Sequence, residues 1–310
     1  MDRPCLAILA TPGTRATCAR PRDSIHHMRP LLLATLALGA CLQHAVPADT
    51  TLEATTPKVS PAETLPRELR VVAFNVHMVD GDTIVRGIDK DPALRGADLI
   101  MLEEVHRVDH LCSGACVLGK HLGFYSVYAP GHVNGNGTDG VALLSRSPIL
   151  SAEVIELPYF DTHINSQRKV AIAAKVLIDG KPVSVYTVHL DNRVNVRDRR
   201  AQLLPVLEHA EKQTTPVIIA GDFNTSPFTW LWRVVPVPTG TQDDRLEELV
   251  RAHGFDTPVK NSGATSRWLA MKLDAIYRRG FDTVRFATAD ADDISDHFAL
   301  WAVLDRRSTD

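Results

Sequence analysis

The chain has 310 residues, 45% of them hydrophobic and 23% charged, with a formal net charge of −3. That balance belongs to an ordinary folded protein; it excludes a disordered or low-complexity chain, and the slight acidity gives no overall basic footprint for nucleic acid. The length admits one large domain or two small ones.

The first feature along the chain is an export signal. Met28-Arg29-Pro30 leads into an apolar run over 31–38 and then Gly39-Ala40-Cys41. A basic start, a short apolar stretch and a small-residue exit make a secretory peptide, and the run is too short to span a bilayer as a helix. Leu38-Gly39-Ala40-Cys41 also looks like a bacterial lipobox. It predicts cleavage before Cys41, lipidation of that sulfur, and an exported lipoprotein on the periplasmic or outer-membrane face of a bacterial envelope. Residues 1–27 carry no such pattern, so the true start is expected at Met28 within a signal region of 1–40. Loss of that region removes five Arg and two Asp, moving the formal charge from −3 to −6. Cys112 and Cys116 then remain as a pair beside Cys41, and an even pair in an exported protein predicts a disulfide.

Residues 41–68 read as the lipidated cysteine and a disordered tether rich in Thr, Pro, Ala and Glu. The folded domain is expected over 69–310. Strands are predicted over 69–76 and 98–102, with helical material between them, and over 140–145. Two more, over 169–178 and 182–189, form a hairpin across Asp179-Gly180. A helix over 195–212 places Leu203, Leu207 and Ala210 on one face. The apolar run 216–220 is a buried strand closed by the turn Gly221-Asp222-Phe223-Asn224. Ser226-Pro227 reads as an N-cap and first-turn pair opening a helix through Trp232. A helix over 243–253 ends at Gly254, and strands over 273–277 and 298–304 close the chain. Hairpins mixed with helices argue for one α/β domain and against a purely parallel sheet.

Polar residues without a packing role stand at the ends of these strands: Asn75, Glu104, His189, Asp222, Asn224 and Ser295-Asp296-His297. Asp274, flanked by apolar strand residues, needs a partner if buried. Asp222 and Asn224, two residues apart, should converge on one side of an extended segment.

In this order the set resembles the endonuclease/exonuclease/phosphatase superfamily, also called DNase I-like. The pieces are Phe74-Asn75, Leu102-Glu103-Glu104, the 140–145 segment, Thr187-Val188-His189-Leu190, Gly221-Asp222-Phe223-Asn224, Leu273-Asp274-Ala275-Ile276 and Ser295-Asp296-His297. The resemblance implies a four-layer α/β/β/α sandwich of two mixed, mainly antiparallel sheets. It implies Mg²⁺- or Mn²⁺-dependent hydrolysis of a phosphoester. Carried over residue by residue, Glu104 is the principal metal carboxylate, with Asn75 and Asp296 near the metal or its waters. His297 is a general base or phosphate contact oriented by Asp274. Asp222 and Asn224 position the attacking water and a phosphoryl oxygen, and His189 contacts phosphate or assists the leaving group. An oxygen-rich set of this kind suits Mg²⁺. One departure is Glu103, where the superfamily usually has Gln. Strand alternation points it and Glu104 to opposite faces, so Glu103 need not join the site and has a structural role; if it does join, its charge changes metal affinity.

The histidine-containing 187–190 segment looks like the DNase I, sphingomyelinase and deadenylase branches. The substrate is then nucleic acid or a lipid head group, the membrane is reached through the anchor at Cys41, and the protein is expected to be a monomer without a protein partner. Arg168 is a candidate phosphate contact. The polar stretch 131–139 either borders the site or is a solvated connector, and Arg193, Arg197, Arg199 and Arg200 either contact phosphates or form a solvated helix face. Phe228, Trp230 and Trp232 either face a lipid or base or pack in the core. A non-catalytic binding protein on the same fold would be expected to have lost some of these site residues, and none is missing.

Overall fold

A computed structural model of the protein describes residues 46–59, 62–162, 166–240, 242–268, 270–291 and 294–308. The signal region and Cys41 lie outside the described residues.

The fold grows from two central parallel strand pairs. β2 (Glu68–Asn75) runs parallel to β3 (Leu99–Val108), joined through α1 (Gly81–Lys90) and the single turn α2 (Pro92–Arg95). Asp80 caps α1 by accepting the Thr83 N–H at 2.9 Å. α3 (Gly114–Leu122) follows, capped by Ser113 and ended by Gly123 at φ 71°. Cys112 and Cys116 are joined as a disulfide at its first turn, with Cα atoms 5.6 Å apart. β4 (Tyr125–Asn134) and β5 (Gly137–Ser145) add a hairpin, and β13 (Phe281–Ala289) and β14 (Ala299–Arg306) close the other side. With β1 (Glu53–Thr55) the first sheet has the order β1-β4-β5-β3-β2-β14-β13.

The second sheet has the order β12-β9-β8-β7-β6. β6 (Ile149–Glu156), β7 (Val170–Ile178) and β8 (Lys181–His189) are antiparallel neighbours. Asp179 and Gly180 both take positive φ, 53° and 66°, as a tight two-residue hairpin turn requires. α4 (Val196–Glu211) crosses over to β9 (Val217–Asp222), parallel to β8, and β12 (Asp274–Arg279) pairs with β9. α5 (Asp243–Ala252) packs beside α4.

Alternation along each strand builds the layers. In β2, Val71 and Ala73 join the core between the two sheets, while Val72 and Phe74 join the core beneath α1–α3. Leu203, Val206 and Leu207 of α4 cover the outer face of the second sheet. The result is helices, sheet, sheet, helices.

Three expectations change. Within the expected tether, β1 pairs with β4, and Leu65 is fully buried with its N–H on the Leu177 carbonyl at 2.8 Å; apolar burial fixes it despite a polar composition. Residues 131–139 form the β4–β5 hairpin, with His132, Thr138 and Asp139 buried. Residues 226–232 form no helix: β10 (Phe228–Leu231) and β11 (Val235–Pro238) make a separate two-stranded ribbon, because this Phe-, Trp- and Val-rich stretch favours strands over the helix its Ser-Pro start suggests.

Candidate active site

Strand register brings the polar strand ends together. His189 on β8 lies opposite Asp222 on β9, which lies opposite Asp274 on β12, so the three form a row across the second sheet. Facing them, Asn75 and Glu103 pair across β2 and β3 of the first sheet. Between the two sheet ends is a cleft of about 630 Å³, lined by Glu104, Asp296, Asp222, Asn224, His189, His297 and Lys169 among others.

The Gly221–Asn224 turn is built for close approach. Gly221 has φ 146°, and a Cβ there would stand 1.9 Å from the Val188 carbonyl oxygen, so only glycine fits. Asn224 takes φ 52°, a conformation Asn tolerates. Its N–H donates to Asp222 Oδ1 at 2.8 Å, and its Nδ2 donates to Asp222 Oδ2 at 3.2 Å and to the Leu190 carbonyl at 2.9 Å. Asp222 and Asn224 do converge, and Asn224 spends its amide on holding Asp222.

His297 Nδ1 lies 2.8 Å from Asp274 Oδ2, and its Nε2 lies 3.8 Å from Asp222 Oδ2. Burial opposes charge on His297, but the Asp274 and Asp222 carboxylates outweigh it and raise its pKa to about 10. Burial pushes Asp222 up, against the pull of His297. His189 behaves oppositely: burial and then the Lys169 ammonium, 3.3 Å from its ring nitrogens, hold it well below its usual pKa. One imidazole is charged and the other neutral.

The first-sheet wall is more open. Glu104 lies where β3 shifts register between Leu102 and Val105, with φ 53°. The bulge turns its side chain out of the helix-side core and into the cleft. Glu104 Oε1 accepts from Asn75 Nδ2 at 3.2 Å; Glu104 Oε2 and Asp296 Oδ1 flank His77 Nδ1 at 3.7 and 3.3 Å. Asn75 Nδ2 also donates to Asp222 Oδ2 at 3.1 Å, and its Oδ1 accepts the His77 N–H at 3.0 Å. Asn75 thus bridges the two walls, offering Glu104 its nitrogen.

Glu103 does not line the cleft; it lies buried behind it. It continues the inner face of β3 after Leu99 and Met101 and is fully buried under Gly221. Neither carboxylate oxygen has a hydrogen-bond partner among the described residues. Burial, followed by the Asp274 and Asp222 charges, raises its pKa well above the usual range, so Glu103 is a neutral acid.

Arg168 lines the cleft, but its guanidinium is occupied. Nε donates to Glu156 Oε1 at 2.7 Å, and Nη1 donates to the Pro130 and Gly131 carbonyls, each at 3.1 Å. Arg199 is no solvated helix residue: it is fully buried, donating to Gln242 Oε1 and the Asp191 carbonyl. Sequence reasoning missed Lys169 and His77. Their signals were adjacency to Arg168 at the start of β7 and a place two residues after Asn75.

The donor set can be tested against a metal. Asp222, Asp274 and His297 place ligand atoms within 4.8 Å of one another, but all three are buried, Asp274 bonded to His297 and Asp222 to Asn75 and Asn224. Glu104 and Asp296 are the carboxylates with solvent access, 26% and 33% exposed, converging on one point beside His77. Two solvent-reaching carboxylates in an open site without a cysteine in its lining fit a hard divalent cation.

A profile described as the Endonuclease/Exonuclease/phosphatase family matches residues 72–297. The chain belongs to the endonuclease/exonuclease/phosphatase family. Members of this family hydrolyse phosphoesters and are generally dependent on divalent metal. Solved structures share the fold. An endonuclease/exonuclease/phosphatase from Beutenbergia cavernae superposes with TM-score 0.62 at 20% identity, covering 78% of this chain and 72% of that one. The human Nocturnin catalytic domain with bound sulfate gives 0.58 at 18%, covering 82% and 97%. D. rerio TDP2 complexed with single strand DNA product gives 0.56 at 16%, covering 76% and 98%. No curated protein sequence matches the chain.

Proposed function

We propose that this family member is a Mg²⁺- or Mn²⁺-dependent phosphodiesterase anchored in a bacterial envelope through Cys41. The observation that carries the catalytic part is one cleft with two unlike walls: solvent-reaching Glu104 and Asp296 opposite the buried Asp222–His297–Asp274 network.

Glu104 and Asp296 would hold the metal, which when bound neutralises charge developing on phosphoryl oxygens. The protein supplies the rest. Asp222, raised by burial and fixed by Asn75 and Asn224, accepts the proton of the attacking water. His297, charged through Asp274, donates a hydrogen bond to a phosphoryl oxygen instead of serving as the base. Lys169 and the neutral His189 place further donors on the same side. Asn75 fixes the spacing between Glu104 and Asp222.

The full chain should hydrolyse bis-p-nitrophenyl phosphate with Mg²⁺ or Mn²⁺ and lose that activity in EDTA. No turnover with any divalent metal would overturn the reading. The anchor is tested separately: Cys41→Ser should release the protein from bacterial membranes, and unchanged membrane association would remove the lipoprotein assignment. The single strand DNA product in the D. rerio TDP2 structure supports nucleic acid as a second reading of the substrate.

A further inference from the structure

The β10–β11 ribbon belongs to neither main sheet. Its strands pair from Phe228↔Pro238 to Leu231↔Val235, and the tip closes through the Val234 N–H on the Leu231 carbonyl at 3.1 Å. Of the residues 228–238, only Thr229 and Arg233 are not apolar. Leu231, Trp232, Val234, Val235 and Val237 are all exposed, Trp232 by 81%. Single exposed apolar residues are normal, but a contiguous run marks an interaction surface.

The ribbon is held as an arm. Asn195 clamps the Trp230 backbone, accepting its N–H at 2.8 Å and donating to its carbonyl at 3.4 Å. Gln242 donates to the Phe228 carbonyl, and the Thr239 N–H closes the base on the Pro227 carbonyl at 3.0 Å. The one charge near the tip is drawn back: Arg233 donates to the Asp161 carbonyl at 2.8 Å and to Asp198 Oδ2 at 3.1 Å. The apex is left apolar. The base of the same ribbon enters the cleft, where Phe228, Trp230 and Pro236 line it beside Arg193, whose guanidinium lies over Trp230. Trp268, 68% exposed, lines the cleft too.

We infer that this ribbon is a membrane-docking arm that lowers the cleft onto the surface of a phospholipid bilayer, making the substrate class an interfacial phosphodiester. The substrate part rests on the phosphodiesterase reading above; the docking part does not. The order of chemistry in the protein, apolar apex, then indole and guanidinium, then carboxylates, matches that of a phospholipid from acyl chain to phosphodiester. Trp at such a boundary and apolar side chains below it are how interfacial elements hold to lipid. Nucleic acid explains less: Leu231 and the valines have no ring face for a base to stack on.

The test compares full chains all carrying Cys41→Ser, so that an acyl anchor contributes to none. Trp232→Ser with Val235→Ser should lower partition onto phosphatidylcholine/phosphatidylglycerol vesicles at least tenfold, while turnover of bis-p-nitrophenyl phosphate stays within twofold. Brominated lipid should quench the fluorescence of the parent, and Trp232→Phe should lose most of that quenching while keeping partition. Equal partition of parent and double variant, or no quenching, overturns the proposal. So does a dimer or a single-strand DNA complex that the substitutions weaken when vesicles are not bound. If no protein hydrolyses the soluble diester, the phosphodiesterase reading fails, and the vesicle arms still decide the docking surface.

Discussion

The two walls of the cleft are built on opposite principles. On the second-sheet side, Asp222, Asp274, His189 and His297 are buried and committed to one another within a few ångströms. On the first-sheet side, Glu104 and Asp296 are open, and Glu104 is held in a left-handed conformation by a bulge. The buried wall fixes protonation states and directions in advance. The open wall keeps lone pairs for something that is not protein. Pre-ordering serves groups that move or donate protons, and exposure serves groups that bind from solution.

Glu104→Gln is the sharpest way to break this contrast. It keeps the acceptor for Asn75 and removes charge from the open wall, so kcat/KM should fall roughly 10³-fold or more, while Tm shifts by less than about 2 °C. Large unfolding in this variant would show that the open wall is structural. Asp274→Asn acts on the buried wall and should cost both quantities: activity about 10²-fold, and stability about 3 kcal/mol from breaking a buried pair. Its stability cost should also depend on pH. The folded pKa of His297 is raised to about 10, above its unfolded value near 6.5. The stability this contributes is fully present below about pH 6.5 and is lost as pH rises through about 10. The gap in urea unfolding free energy between wild type and Asp274→Asn should therefore narrow from pH 7 to 10; a constant gap would mean that His297 is not held charged.

Much of the second-sheet wall was legible in the sequence, because its residues sit on regular strands whose register aligns them: His189, Asp222 and Asp274 each end or begin an apolar run. The first-sheet wall was harder. Glu104 reaches the cleft only through a register shift against the partner strand β5; strict alternation does not reveal that shift, and only the family resemblance pointed to Glu104 as the metal carboxylate. Lys169 gave no signal beyond adjacency, since its role comes from β7 lying next to β8 and its ammonium meeting His189. The ribbon at 228–238 failed for a related reason: its Ser-Pro opening is a valid helix start in isolation, and pairing between β10 and β11 overrides it.

Two smaller perturbations probe how the walls communicate. Asn75→Ala removes a side chain that donates to both Glu104 and Asp222. It should lower activity about tenfold and, in a double-mutant cycle with Asp222→Asn, show coupling of about 1 kcal/mol or more; additive effects would mean that the walls are independent.

Glu103→Gln should affect activity least. Glu103 is a buried acid with both oxygens unpartnered, raised well above the usual carboxylate range by burial and by Asp274 and Asp222. Gln replaces one neutral group with another of the same shape, so turnover should stay within about threefold. Stability carries the information. A carboxyl raised in the folded state binds its proton there after the unfolded chain has released it, so wild type loses stability as pH rises above about 4.5, by about 1.4 kcal/mol for each pH unit until the raised pKa is reached. Glu103→Gln removes that slope. The variant should match wild type at pH 4 and exceed it at pH 8 in urea unfolding free energy. If instead it is less stable at pH 8, Glu103 is ionised in the folded protein, and the buried wall holds a further charge balanced by its neighbours.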